Sequence, residues 1–468
     1  MSSEASETST INLTVALARF VVDLRHEQVP DDQFTYVGTS MLDWLGCCIA
    51  GVREPAVQAL DSVLRLMGGA PQATLIARGR RSSVLNAVLL NGAAGNLLDL
   101  DDLHAGMIGH PSAVLAPTVL AIGDWLDLDW RLAATGYVAG YEVMARLGLG
   151  VEPELYKRGW HATGVLGVFG ACAAAGKLLG LGETQLTSAF AIAASQAAGL
   201  RELFGTPSRC IHQGKAAMAG VLACLWAREG VHSCSDIIGG RHGLRVLSGI
   251  VRPVPILDGL GEHFLLSQTS YKRHAASGSV HAGIDATMSL RETNRLSPSD
   301  IEKVEVSMHP LALDLCGAHA DPKSAFAAKQ SMHFAVALAL KEGRCDLDLY
   351  TDAMVGDPVI RDLCGRISVS SDSTMAYVEA MPSLVTITTR DGRRLSQRVD
   401  VPKGRPGNPM RPDEIAAKFR ALCTSVLAPT AIEEVINSLG HVDGIGVTRL
   451  MQLVADARPI QTHAFARA

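Results

Sequence analysis

Two nearly uncharged blocks rich in alanine and glycine, Ala162 to Gly176 and Leu186 to Leu200, restrict this chain more than any other feature. Each is shorter than the roughly 20 residues a membrane span needs, and Lys177 and Glu183 lie between them. Small side chains let helix backbones approach closely, so both blocks are predicted to be buried helices of a helical body. The same pattern runs from Ile11 to about Gly261. Leu13, Leu17, Phe20, Val21 and Leu24 recur on one helical face, while Gly68-Gly69, Gly180 to Gly182 and Pro253 to Pro255 mark loops or helix ends.

After about Leu265 the period changes. Val304, Val306 and Met308 alternate with Glu305 and Ser307, and Ile367 and Val369 alternate with Ser368 and Ser370. Leu384 to Thr389 meets Leu395 to Val401 across the turn signal Asp391-Gly392. A helical pattern returns at Ala325 to Glu342, which gives an α+β unit of roughly Gln268 to Val401. A Pro/Gly linker from Gly404 to Pro412 follows, and then a helix starting near Asp413, with Asp413 as its cap. At 468 residues the chain exceeds what one hydrophobic core organises, so two structural units are expected.

Composition narrows the partners. Hydrophobic residues make up 48% and charged ones 19%, which supplies a packed core and excludes a disordered chain. The net charge is −5 and no run of Lys and Arg stands out, so neither nucleic acid nor a membrane surface is expected, and small molecules are. The start, MSSEASETST, is acidic and polar, unlike a secretory signal, and points to a cytoplasmic location. The ten cysteines include the adjacent Cys47 and Cys48 but form no CxxC pair, so no disulfide, zinc or iron-sulfur framework is supported.

The densest polar constellation within apolar surroundings is Asp99-Leu-Asp101-Asp102-Leu-His104, followed by Gly109-His110-Pro-Ser112. Three carboxylates and two imidazoles there face a cleft or bond one another, or else belong to a solvated helix cap. His104 and His110 lie six apart and match no zinc spacing, so no metal is expected. A second candidate is His161 in Gly159-Trp-His-Ala-Thr-Gly164, near a predicted helix start where the dipole favours a neutral base; its alternative is a packing or capping role. Two cationic clusters, one with Arg209, His212 and Lys215 and one with Tyr271, Lys272, Arg273, His274, Ser277 and His281, either hold carboxylates or are solvated.

Taken in order, several strings resemble the MmgE/PrpD family of 2-methylcitrate dehydratases and cis-aconitate decarboxylases. They include Asp99-Leu-Asp-Asp with Gly109-His-Pro-Ser, Gly140-Tyr-Glu-Val, Trp160-His-Ala-Thr-Gly, Ile192-Ala-Ala-Ser-Gln-Ala-Ala-Gly, Tyr271-Lys-Arg, His281-Ala-Gly-Ile-Asp-Ala, Asn408-Pro-Met and Ala417-Lys-Phe-Arg. The resemblance implies a mainly α fold, with a large all-helical domain over residues 1–266 completed by 402–468. A smaller α+β lid domain would occupy 267–401, with the active site in the cleft between the two, in a homodimer. It implies a lyase acting on a small di- or tricarboxylic acid without metal or organic cofactor. Asp99, His104, His110, His161 and Lys272 are the expected catalytic residues, and Arg209, His212, Arg273 and Ser277 the expected substrate-binding ones.

Departures bear on the substrate. Leu103 stands where the family commonly has a threonine, Ser277 where the decarboxylase branch carries a histidine, Gln330 where an aromatic commonly follows the lysine, and Arg209 where a lysine is common. Leu103, Ser277 and Gln330 together argue against a faithful cis-aconitate decarboxylase and leave the substrate open, and Leu103 and Ser277 are compatible with an epimerase or isomerase of a polycarboxylate on the same scaffold. A binding protein without catalysis is the remaining alternative.

Overall fold

The computed structural model describes residues 11–317, 319–375, 381–440 and 445–456. The architecture is mainly α, with a smaller sheet-containing part in the C-terminal half. The helical body is built from α1 (Leu13–Asp23), α2 (Asp31–Gly51), α3 (Val84–Leu97), α4 (Ser112–Leu126), α5 (Trp130–Val151), α6 (Ala162–Leu178), α7 (Glu183–Ala194) and α8 (Ile211–Arg228). Every residue of α6 from Ala162 to Gly176 is buried. That burial is made possible by missing side chains. A Cβ on Gly220 of α8 would fall 2.5 Å from the Ala171 Cβ of α6, and one on Gly214 would fall 2.2 Å from the Leu89 carbonyl oxygen of α3. Helices this close leave room for nothing larger than hydrogen or methyl, which is why the blocks read as alanine and glycine.

The second block is helical only as far as Ala194. The chain then leaves the helix and crosses beneath His161, where Gly199 takes φ 148° and its carbonyl accepts the His161 N–H at 2.9 Å. Only glycine adopts that backbone readily, so the helical pattern of side chains overran the helix.

The C-terminal part contains α9 (His281–Asn294), β1 (Ile301–Met308), α10 (Met332–Glu342), β2 (Ile367–Ser371), β3 (Ser383–Thr389) and β4 (Arg394–Val399). The sheet order is β2-β1-β3-β4, with β1 and β2 parallel and the other pairs antiparallel. Ile301, Val304, Val306 and Met308 supply the buried face of β1, as the alternation predicts. The Asp391-Gly392 hairpin is present, with Gly392 at φ 85°. The predicted helix Ala325 to Glu342 is interrupted: a single turn, Ala325–Ala328, gives way to Lys329–Ser331, and Ser331 caps α10 by accepting from the Phe334 N–H at 3.1 Å.

Three C-terminal helices, α11 (Pro412–Cys423), α12 (Pro429–Leu439) and α13 (Val447–Leu453), pack back on the helical body. Phe419 lies against Gly46 of α2, and Val447 against Gly123 of α4. Asp413 is not the cap of α11. The helix starts at Pro412, and Glu414 accepts the Arg411 N–H at 2.7 Å, while Asp413 pairs with the Arg411 guanidinium. No helix among the described residues is long and apolar enough to cross a membrane.

Candidate active site

The site grows from the C-terminal end of α3. A buried helix end leaves carbonyl oxygens without intrahelical donors and carries partial negative charge, so it must be met by donors, best of all cationic ones. Four cations from distant segments meet the helix end and the turn that follows it in succession. Arg209 donates to the Asn96 carbonyl at 3.4 Å, Lys329 to that of Leu98, Lys272 to that of Asp99 at 2.8 Å, and Lys418 of α11 to that of Leu100 at 2.7 Å. Lys418 also pairs with buried Asp43 of α2 at 2.6 Å. Asp99 itself adopts a left-handed backbone, φ 54°, which a short polar side chain tolerates.

The Asp99 carboxylate is the centre of this arrangement. Oδ1 accepts from Lys272 at 2.6 Å and lies 3.3 Å from the Arg209 guanidinium, while Oδ2 accepts from the Gln330 amide at 2.8 Å. Burial would raise its pKa, but Arg209, Lys272 and His110 outweigh burial and hold the carboxyl far below its ordinary range. Asp99 is therefore an anion. Asp101 is held low against burial by His110, Lys272 and the Asn96 amide, which donates to both its oxygens at 2.9 Å. Asp102 differs. Burial pushes it well above the ordinary range, only partly offset by Ser112, whose hydroxyl lies 2.6 Å from Oδ2.

His110 reaches the cavity because the preceding loop doubles back. His104 and Gly109 exchange backbone hydrogen bonds, Ile108 is forced to φ 49°, and the His110 N–H is tied to Thr163 of α6 at 3.0 Å. Its Nδ1 lies 2.8 Å from the Asp102 carbonyl. A carbonyl can only accept, so Nδ1 carries the proton and Nε2, 3.9 Å from Asp99, is left as the reactive nitrogen. His161 is the N-cap of α6, and its Nδ1 sits 3.0 Å from Nδ1 of His212. Burial first, then Arg209, His212 and His110, lower its pKa well below the ordinary imidazole value. The sequence points to the helix dipole as the cause; desolvation and neighbouring cations account for it in the structure, with the same consequence, a neutral base.

A cavity of about 90 Å³ brings together Asp99, His110, His161, Arg209, Lys272 and Ser277, with Leu103, Phe204 and Gln330 also on its wall. Three expected site residues lie elsewhere. His104 is sealed in the protein, where its Nδ1 accepts the Met107 N–H and burial lowers it to about 4, so it shapes the loop rather than facing the cavity. Arg273 is exposed, although Tyr271 and Lys272 before it are buried. His212 stands behind His161 and acts on the cavity only through it. Sequence reasoning missed the roles of Asn96, Lys329, Gln330 and Lys418. For Lys329 and Gln330 the signal was a polar pair interrupting the apolar run of Ala325 to Glu342.

One oxygen each of Asp99 and Asp101 and a nitrogen of His110 lie within 4.8 Å of one another, a grouping that would suit a metal ion. The space they enclose is already balanced by cations of the chain. Lys272 at 2.6 Å and Arg209 at 3.3 Å from Asp99 would repel a divalent ion there, so the donor set does not fit one.

Residues 15–250 match the MmgE/PrpD N-terminal domain and residues 274–440 the MmgE/PrpD C-terminal domain. This chain belongs to the MmgE/PrpD family. The MmgE/PrpD relatives it matches include cis-aconitate decarboxylase from Aspergillus terreus, 25% identical over 460 residues, which cover 92% of this chain and 93% of that protein. Cis-aconitate decarboxylase from Homo sapiens is 25% identical over 375 residues, 77% of this chain and 76% of its own length, and that of Mus musculus is 24% identical over 467 residues, 94% and 93%. Membership of the MmgE/PrpD family and these relatives support a lyase-type enzyme.

Proposed function

We propose that this MmgE/PrpD protein removes water or carbon dioxide from a small di- or tricarboxylic acid by acid-base catalysis that uses no cofactor. One observation carries the reading: two buried cations, Arg209 and Lys272, and two imidazoles, His110 and His161, share one small cavity around an ionised Asp99. Forming or breaking a bond beside a carboxylate spreads negative charge onto that carboxylate. Cations fixed in a dry site stabilise that charge without reorganising. Arg209 and Lys272 bind the substrate carboxylates. In dehydration, neutral His161 takes the proton α to a carboxylate, the C–H electrons become the new double bond, and the hydroxyl leaves as water with the Nε2 proton of His110, which enters this step as the imidazolium and keeps its Nδ1 proton on the Asp102 carbonyl. In decarboxylation the C–C bond breaks, carbon dioxide leaves, and His110 protonates the carbon that keeps the electron pair. The relatives named cis-aconitate decarboxylase favour an aconitate-like acid.

An epimerase of the same substrate class is the second reading. It draws on Leu103 and Ser277, both on the cavity wall, in place of a hydroxyl and an imidazole, and on two imidazoles that approach from different elements. Incubation with citrate-, aconitate- and imino-type polyacids in D₂O, followed by NMR, separates the readings. Loss of water or carbon dioxide supports the lyase, and deuterium exchange alone supports the epimerase. Full turnover of the true substrate by both Lys272→Ala and Arg209→Ala would falsify the shared mechanism.

A further inference from the structure

The chemistry above leaves Lys329 unused. Lys329 lies in the break between the Ala325–Ala328 turn and α10, 5% exposed, and its ammonium donates to the Leu98 carbonyl rather than to a carboxylate. The break is fastened on every side. Its carbonyl accepts the N–H of cavity residue Ser277 at 2.9 Å, and the next residue, Gln330, holds Asp99 Oδ2. Between Lys329, Arg209, Asp99 and Gln330 there is a void of only about 10 Å³, room for a single water at most. With so little solvent between them, the charge on Lys329 is poorly screened from the cavity.

We infer that Lys329 is a positioning residue for anion binding, holding the Leu98–Asp99 turn from behind the cavity wall and adding a third positive charge to the two that Arg209 and Lys272 present directly. The inference rests on the polycarboxylate reading and says which further residue sets its strength. The groups that face Lys329 are Asp99 and Glu54, which favour its charged form, and Lys272 and Arg209, which oppose it. Burial, with Lys272 and Arg209 acting in the same direction, outweighs the two acids and lowers the ammonium to about 8. A polyanion in the cavity tips the balance back towards charge. By linkage, a ligand that favours the protonated lysine binds more tightly while the lysine is protonated, so affinity declines as pH rises through about 8.

The test is calorimetric titration of the full-length protein with propane-1,2,3-tricarboxylate, which has no hydroxyl to lose, from about pH 6.5 to about pH 9.5. The wild type is expected to lose about tenfold in affinity across that range. Lys329→Arg, whose guanidinium stays charged, keeps the low-pH affinity throughout. Lys329→Met binds about tenfold more weakly at low pH and shows no slope. Two results overturn the inference: wild-type affinity in Lys329→Met, or an alkaline slope that persists in Lys329→Arg. The second would assign the slope to another group, such as Glu152, which burial raises to about 8 beside the neighbouring cleft. If Lys329→Met fails to fold, the slope in Lys329→Arg still decides. A wild type that binds no tricarboxylate at any pH overturns the polycarboxylate reading itself, a result distinct from either of these.

Discussion

The crossing of α6 with α8 and the turn that follows α3 are equally closed to water, yet they are built by opposite means. At the crossing, Gly220 meets Ala171 and the Cys172 backbone with no charged side chain at that contact, and the fit is one of shape. At the turn, Asp43, Asp99, Asp101 and Asp102 are all buried, and Arg209, Lys272, Lys329 and Lys418 meet them or the adjoining carbonyls. Burying paired charges adds little to stability and often lowers it, because desolvation cancels the attraction. The crossing is therefore explained by folding. On the proposed function, the turn is explained by what its charges do to a ligand.

Mutation should separate the two regions. Lys272→Ala is expected to lower kcat/KM by about 10³, roughly 4 kcal/mol of transition-state stabilisation, as measured by steady-state kinetics on the true substrate. Gly214→Val, at the close approach of α8 to α3, should cost about 3 kcal/mol in chemical denaturation while leaving the turnover of the folded fraction intact. If the valine variant lost activity without stability, the division drawn here would fail. A pH-dependent effect belongs to the polar region. His104 takes up a proton near 6.5 when unfolded but only at about 4 when folded, so stability is fully present above about pH 6.5 and is lost as pH falls towards 4, by up to about 1.4 kcal/mol per pH unit. His161, lowered by burial, adds to the same trend. His104→Gln should flatten the acid side of a stability-against-pH curve, whereas Gly214→Val should shift it uniformly. Smallest of all, Arg273→Ala should change kcat/KM by less than about twofold and stability by no more than about 0.5 kcal/mol, since its side chain is solvated.

The same contrast explains how much could be read from the sequence. Shape-built regions announce themselves through composition, and the Ala/Gly block at Ala162 to Gly176 became a buried helix as its small residues require. The β3–β4 hairpin followed from alternation and an Asp-Gly turn. Charge-built regions announce their members but not their directions. Asp99, His110, His161, Arg209, Lys272 and Ser277 do converge, whereas His104 is turned away by the loop reversal at Ile108 and Arg273 lies on the outer side of a segment whose neighbours Lys272 and His274 are buried. Lys329 and Gln330 stayed hidden because a helical period ran through Ala325 to Glu342 and masked the break that aims them at Asp99. Nothing local to Lys418 reveals that it reaches Leu100, since that contact exists only once α11 has docked on α2.

That last contact bears on how the molecule is made. Lys418 and the Leu100 carbonyl it secures are separated by 318 positions in the chain. During synthesis, the turn and loops that carry Asp99, His110 and His161 emerge before α11, and the turn at Asp99 lacks one of its four anchors until α11 has left the ribosome. The geometry of the turn therefore waits on a segment made 318 positions after the carbonyl it secures.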